Sequence, residues 1–197
     1  MTRQFTKYEA AGLLGETVEC KKTFTEVGTD LESNTSIQCR LKVGDKAEVV
    51  LLQVDQSNSD ISLGLLVEGH KDIDYVLVNK KQFDLHCLAI GPGINIESHE
   101  TGGFTEQEIA ALLGKSVECK ETFKLDHTNE AMASNALKKG AIGYVSMFDS
   151  SDTVEGVFVS LEFGDYEYIS LHKKDFERYI SILMPVDFSD LPLTSIN

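Results

Sequence analysis

The stretch FTKYEAAGLLGETVECKKTF, Phe5 to Phe24, returns 99 residues later as FTEQEIAALLGKSVECKETF, Phe104 to Phe123, with thirteen of twenty positions identical. A chain of 197 residues that repeats itself near half its length builds one unit twice. A second echo, Lys80-Lys81-Gln82-Phe83 against Lys173-Lys174-Asp175-Phe176, comes at an offset of 93, so the loops of the second copy are shorter by six residues. The glycines and proline of AIGPGINIESHETGG suit a linker between the copies. The expected organisation is a first repeat over 1–90, a linker over 91–103, a second repeat over 104–184 and a tail over 185–197.

Each copy opens on a helix signal. Thr6 and Thr105 precede Glu9 and Glu108 by three residues, the spacing of a capping box, in which the Thr oxygen takes a backbone N–H and the Glu reaches back to the cap. Phe5 and Phe104 precede the caps and can staple onto Ala10 and Ile109; Gly15 and Gly114 supply the stop. A strand follows. Val18, Cys20 and Phe24 share one parity, as do Val117, Cys119 and Phe123, while Glu19 and Glu118 take the other. The position between, Lys22 or Glu121, breaks parity and predicts a strand end or a bulge.

A long polar loop is expected over 25–43 and 124–139, the second with a helical turn in NEAMASNALKK. Three strands come next in each copy: KAEVVLLQVD, ISLGLLVEG and YVLVN in the first, AIGYVSMF, VEGVFVSLEF and YISLH in the second. KKQF and KKDF read as tight 3₁₀-like turns, and LHCLAI and ERYISIL close the copies as a strand or a short helix.

This order resembles the SH3-like small barrel: first strand, long first loop, three-strand meander, 3₁₀ turn, closing strand. The stretch LKVGDKAEVVLL is similar to the entry into the second SH3 strand. The resemblance implies a mainly β fold of two tandem SH3-like barrels, each preceded by a short capped helix, as in prokaryotic and phage members of many functions. The peptide-binding residues of SH3 domains are absent. There is no Trp, no ALYDY-type aromatic segment and no proline in the closing turn. Recognition of PxxP motifs, which needs that aromatic groove, does not carry over.

Charge narrows the partners. With 18 Lys and Arg against 32 Asp and Glu, the net charge is −14, and the basic residues are scattered or paired, which disfavours nucleic acid. No apolar run is long enough for a membrane span, and no apolar leader follows Met1, so a cytoplasmic setting without membrane association is expected. Cys20, Cys39, Cys87 and Cys119 form no C-x-x-C, and the five histidines show no metal-ligand spacing, so neither disulfide, metal nor cofactor is expected.

Chemical candidates are few. Glu19 and Cys20 are strand neighbours and point to opposite faces, so they cannot act together on one substrate. Buried core thiols are the plain reading, a thiol-dependent enzyme or redox protein the alternative. No phosphate loop or nucleophile elbow occurs. The acids Asp72 and Asp74, and Asp165 and Glu167, sit at equivalent turns as solvated residues or as contacts for a basic partner. Tyr144, Tyr166 and Tyr168, with Tyr75 in the first copy, are barrel core or an aromatic surface for Arg and Lys. The leading expectation is therefore a non-enzymatic adaptor or accessory protein. It would bind a protein partner, a basic one being the best match, through Tyr144, Asp165, Tyr166, Glu167, Tyr168, Asp72, Asp74 and Tyr75, and homo-oligomerisation is compatible. An acidic phage-type inhibitor or nucleic-acid mimic is the second expectation.

Overall fold

A computed structural model describes residues 3–30, 36–57, 59–69, 73–92, 103–124, 136–150, 157–163 and 166–183. The first repeat runs helix α1 (Lys7–Ala11), strands β1 (Glu16–Cys20), β2 (Phe24–Asp30), β3 (Ser36–Leu41), β4 (Lys46–Val54), β5 (Ile61–Val67) and β6 (Ile73–Asn79), helix α2 (Lys80–His86) and strand β7 (Cys87–Pro92). The second runs helix α3 (Glu106–Leu112), strands β8 (Ser116–Cys119), β9 (Phe123–Lys124), β10 (Ala136–Leu137), β11 (Ile142–Asp149), β12 (Phe158–Phe163) and β13 (Tyr166–Leu171), helix α4 (Lys173–Tyr179) and strand β14 (Ile180–Ile182). The protein is mainly β, with four short helices and a large antiparallel sheet among the described residues. No helix among the described residues is long and apolar enough to cross a membrane.

Both capping boxes form. Glu9 N donates to Thr6 Oγ1 at 3.1 Å while Thr6 N donates to Glu9 Oε2 at 2.9 Å; the Thr105–Glu108 pair does the same at 3.3 and 2.8 Å. Gly15 and Gly114 take φ of 80° and 72°, a region that only glycine enters without strain. Their N–H groups then reach Val49 O and Val145 O, at 2.7 and 2.8 Å, and dock each helix end on a central strand.

The Lys-Lys-x-Phe echo now has a cause. Asn79 caps α2 in a further capping box with Gln82, so the segment expected as a 3₁₀-like turn is a seven-residue α-helix, and α4 matches it. The helix docks on the start of its repeat. The Phe5 and Phe83 rings meet edge-on at 5.7 Å, and Phe104 and Phe176 at 5.8 Å. Lys80 lies 4.9 Å from the Phe5 ring and bridges Glu9 at 3.9 Å and Asp84 at 2.7 Å. Lys173 repeats this with Glu108 at 2.7 Å and Phe104 at 5.9 Å.

The expected long loop of the first repeat is instead the hairpin β2–β3, in register from Phe24 opposite Leu41 to Thr29 opposite Ser36. Among the residues of the hairpin whose burial is described, only Phe24, Gly28, Cys39 and Leu41 are buried, which hides the alternation from a reading of apolar residues. Its counterpart, β9–β10, pairs two residues on each side. The helical turn expected in NEAMASNALKK falls mostly outside the described residues, and its Ala136 and Leu137 form β10. Strand β7 reaches Pro92, two residues into the segment expected to link the repeats.

Strand β4 pairs with β5 along one edge and divides the other. Lys46, Ala47 and Glu48 face β1, whereas Leu51, Leu52 and Gln53 face β11. Strand β11 divides its edge the same way between β8 and β4. Across the seam Leu52 lies opposite Phe148, with Gln53 opposite Met147 and Leu51 opposite Asp149. The β1–β4 and β8–β11 registers make Leu52 and Phe148 equivalent positions. The repeats therefore meet about a local twofold axis through that pair, by an isologous contact. The register shift between Val49 and Leu51 recurs between Val145 and Met147.

Because each central strand gives half of one edge to the other repeat, the path β13-β12-β11-β4-β5-β6-β2-β3 stays open. No closed barrel is seen among the described residues. One cluster of buried apolar side chains runs through both repeats, from Phe5 to Ile180. Such a shared core makes the seam a site of folding energy, about 25 cal/mol per Å² of apolar surface removed from water.

Candidate functional site

A cleft of about 900 Å³ opens beside the seam and draws its walls from both repeats. Gln53, Ser62 and Asn79 form one wall. They are successive cross-strand partners on β4, β5 and β6, so their side chains fall in one row. Tyr144 and Glu162 form the other, paired directly across β11 and β12, with the Tyr144 hydroxyl donating to the Glu162 carboxylate. The rim is the β4–β5 turn, which contributes Asp55, Ser57 and Asp60.

The turn is held by its own polar groups. Asp55 accepts from Ser57 Oγ at 2.7 Å and from Ser57 N at 2.8 Å, and Asp55 N donates to Asp60 O at 2.9 Å. Ser59 N donates to Asp55 O at 2.7 Å and takes φ of 60°, a left-handed turn position. The Ser57 hydroxyl, and then its amide, hold the Asp55 carboxyl below its usual range. Gln4 reaches over and donates to Asp60. Among the described residues, three carboxylates, Asp55, Asp60 and Glu162, thus line the cleft, and no Lys or Arg does. The arrangement can bind a cationic or hydrogen-bonding group through carboxylates, amides and one aromatic ring. No group of three or more metal-ligating side chains occurs among the described residues.

Of the residues expected to bind a partner, Tyr144 lines the cleft. Tyr75 lies half-buried on β6 against Gly64, whose position a Cβ would bring within 3.3 Å of the Tyr75 ring. Tyr75 is not part of the cleft lining. Asp74 belongs to β6, and Tyr166, Glu167 and Tyr168 to β13. Asp72 and Asp165 lie outside the described residues. Sequence reading passed over Gln53, Ser62, Asn79, Asp55, Asp60 and Glu162. Their one signal was a polar residue in each of three apolar strands, at Gln53, Ser62 and Glu162, and nothing in the sequence says that these strands become neighbours.

The thiols lie away from this cleft's lining. Cys20, Cys39, Cys87 and Cys119 are all buried, and no disulfide joins them. Cys20 Sγ donates to Lys22 O at 3.3 Å and Cys119 Sγ to Glu121 O at 3.0 Å, the same contact twice. Burial pushes all four thiols up, Cys87 to about 12, so none is a thiolate at neutral pH.

Comparison with known proteins finds no matching family, no matching curated protein and no matching solved structure.

Proposed function

We propose that this chain is a non-enzymatic interaction module, a duplicated SH3-like fold, and that the seam cleft takes a Lys- or Arg-bearing segment of a protein partner. One observation carries the reading: among the described residues, the cleft presents Asp55, Asp60 and Glu162 with Tyr144, and no basic side chain. A cation entering it meets carboxylates and an aromatic ring, the two groups that attract guanidinium and ammonium. The SH3-like part is supported by the order of pairing, β7 on β1, β1 on β4 and then β5 and β6, with a long hairpin after the first strand and a short helix before the closing one. Burial of all four thiols argues against thiol catalysis by the folded chain.

The test is a titration of the whole chain with short peptides that carry one or two Arg and no other charge, set against the same peptides with Arg replaced by citrulline. Binding that falls on salt addition, and falls at least tenfold in the Asp55→Asn/Glu162→Gln double variant, is the expected result. Equal binding of Arg and citrulline peptides, or an unaffected double variant, sinks the proposal.

A further inference from the structure

We propose that Cys20 and Cys87 form a reversible disulfide that staples the closing strand of the first repeat to its opening strand. The strand register carries the inference. In the β1–β7 ladder Cys20 lies directly opposite Cys87. The backbone of Cys20 is turned the other way: its N–H donates to Asp45 O and its C=O accepts from Gly44 N, both at 2.8 Å, while the next residue, Lys21, donates to His86 O. Cys20 and Cys87 are thus a non-hydrogen-bonded antiparallel pair, in which Cα atoms stand about 4.5 Å apart and side chains leave on the same face. A disulfide spans Cα separations of roughly 4.4–6.8 Å, so the bridge needs no strand shift. Both side chains are buried, at 2% and 3% exposure, as two residues sharing one inward face must be.

The second repeat supplies the control. Cys119 occupies the place of Cys20, and the residue opposite it on β14 is Ile180. The bridge is therefore open to one repeat only. Access comes through β7, an edge strand whose only sheet partner among the described residues is β1 and whose Leu88, Ala89 and Ile90 are exposed. Edge strands open locally at less free energy than the whole fold. On opening, the Cys87 thiolate attacks a small-molecule disulfide such as oxidised glutathione. The S–S bond of that molecule breaks, and one glutathione leaves with the proton. The Cys20 thiolate then attacks the mixed disulfide at the Cys87 sulfur, forms the internal bond and expels the second glutathione. The two cysteines lose two electrons and two protons, and the glutathione disulfide gains them. Exchange with a dithiol runs the same two steps in reverse and reopens the bridge.

The experiment exposes the whole chain to oxidised glutathione, then counts free thiols after denaturation and maps linked peptides without reduction. Two of the four thiols should disappear, a peptide pair holding Cys20 and Cys87 should appear, and dithiothreitol should restore all four. The Cys119→Ser variant should still lose two thiols, and the Cys87→Ser variant should lose none to an internal bond. Four free thiols after prolonged exposure overturn the assignment, as does a bond from Cys39 or Cys119, or one between chains.

Discussion

The two repeats agree on their inner faces and differ on the outer ones. Inside, the capping boxes, the Phe pairs, the Lys–Glu bridges, the Cys Sγ contacts and the register shift all recur. Outside, every cleft position with a described counterpart has changed. Gln53, Val54, Ser62 and Asn79 correspond to Asp149, Ser150, Phe158 and His172, while Tyr144 and Glu162 correspond to Glu48 and Leu66. A twofold arrangement would offer two such clefts, and these changes make its two sides chemically distinct. What the duplication kept is what folds the unit; what it let go is where a partner is to be sought.

The largest effect should come from the axis itself. Phe148→Ala removes a fully buried ring that packs edge-on against Phe104 at 5.3 Å, and should cost about 3–5 kcal/mol. Leu52→Ala, its partner across the axis, should cost about 2–5 kcal/mol. Either change should unfold both repeats in one urea transition, with hydrogen exchange rising together in β5 and β12. Loss of protection in the mutated repeat alone would show that the seam does not couple them.

Next come exchanges of one repeat's residue for the other's. Position 143 is Gly where the first repeat has Ala47, because a Cβ there would stand 2.3 Å from Glu162 O and 2.7 Å from the Phe163 ring. Gly64 likewise stands where the second repeat has Ser160, and its Cβ would meet Leu51 Cβ at 2.6 Å. Gly143→Ala and Gly64→Ser should each cost about 1–3 kcal/mol by overpacking. The reverse change Ala47→Gly should cost less, about 0.5–1 kcal/mol. Equal penalties in both directions, by chemical denaturation, would mean that the two sheets are packed alike at these points.

The elements that were legible in the sequence are those set by local rules. Thr-x-x-Glu specifies a cap through two backbone hydrogen bonds within one turn, and the parity of Val18 and Cys20 specifies a face. The α2 helix was hidden because its capping box is Asn79 with Gln82, a pair overlooked beside the double lysine. Hairpin β2–β3 was hidden because it buries few residues. The seam could not be read at all. Leu51, Leu52 and Gln53 look like the end of any buried strand, and only the docked partner reveals that half of its edge serves the other repeat. The cleft inherits that blindness, since its walls meet only across the seam.

Smaller effects distinguish the two lysine anchors. Burial alone would raise the Glu108 carboxyl, but Lys173 and the Thr105 backbone and hydroxyl outweigh it and hold it below its usual range. A depressed folded value stabilises the protein above the unfolded value, near 4.5, and that stabilisation is lost as pH falls through the folded one. Glu108→Gln keeps the capping partner and removes the charge, so it should cost up to about 1 kcal/mol at neutral pH and nothing in strong acid. Glu9→Gln should cost less, because Glu9 stands 3.9 Å from its lysine rather than 2.7 Å. Urea midpoints across pH decide the order, and a larger loss at Glu9 would reverse it.

The smallest effect has the opposite sign. Glu48 holds the place that Tyr144 holds in the second repeat, half-buried opposite Leu66. Burial raises its carboxyl, so the folded state disfavours the charge. A raised folded value makes the group unfavourable at neutral pH and relieves it as pH falls from the folded value toward the unfolded one, near 4.5. Glu48→Gln should therefore raise the stability at neutral pH, read from the urea midpoint, by no more than about 0.5 kcal/mol, and the gain should vanish below pH 4.5. A lowered midpoint at neutral pH would mean that the carboxylate is held by a favourable contact. The first repeat would then keep an acidic site of its own on the face where the second keeps Tyr144.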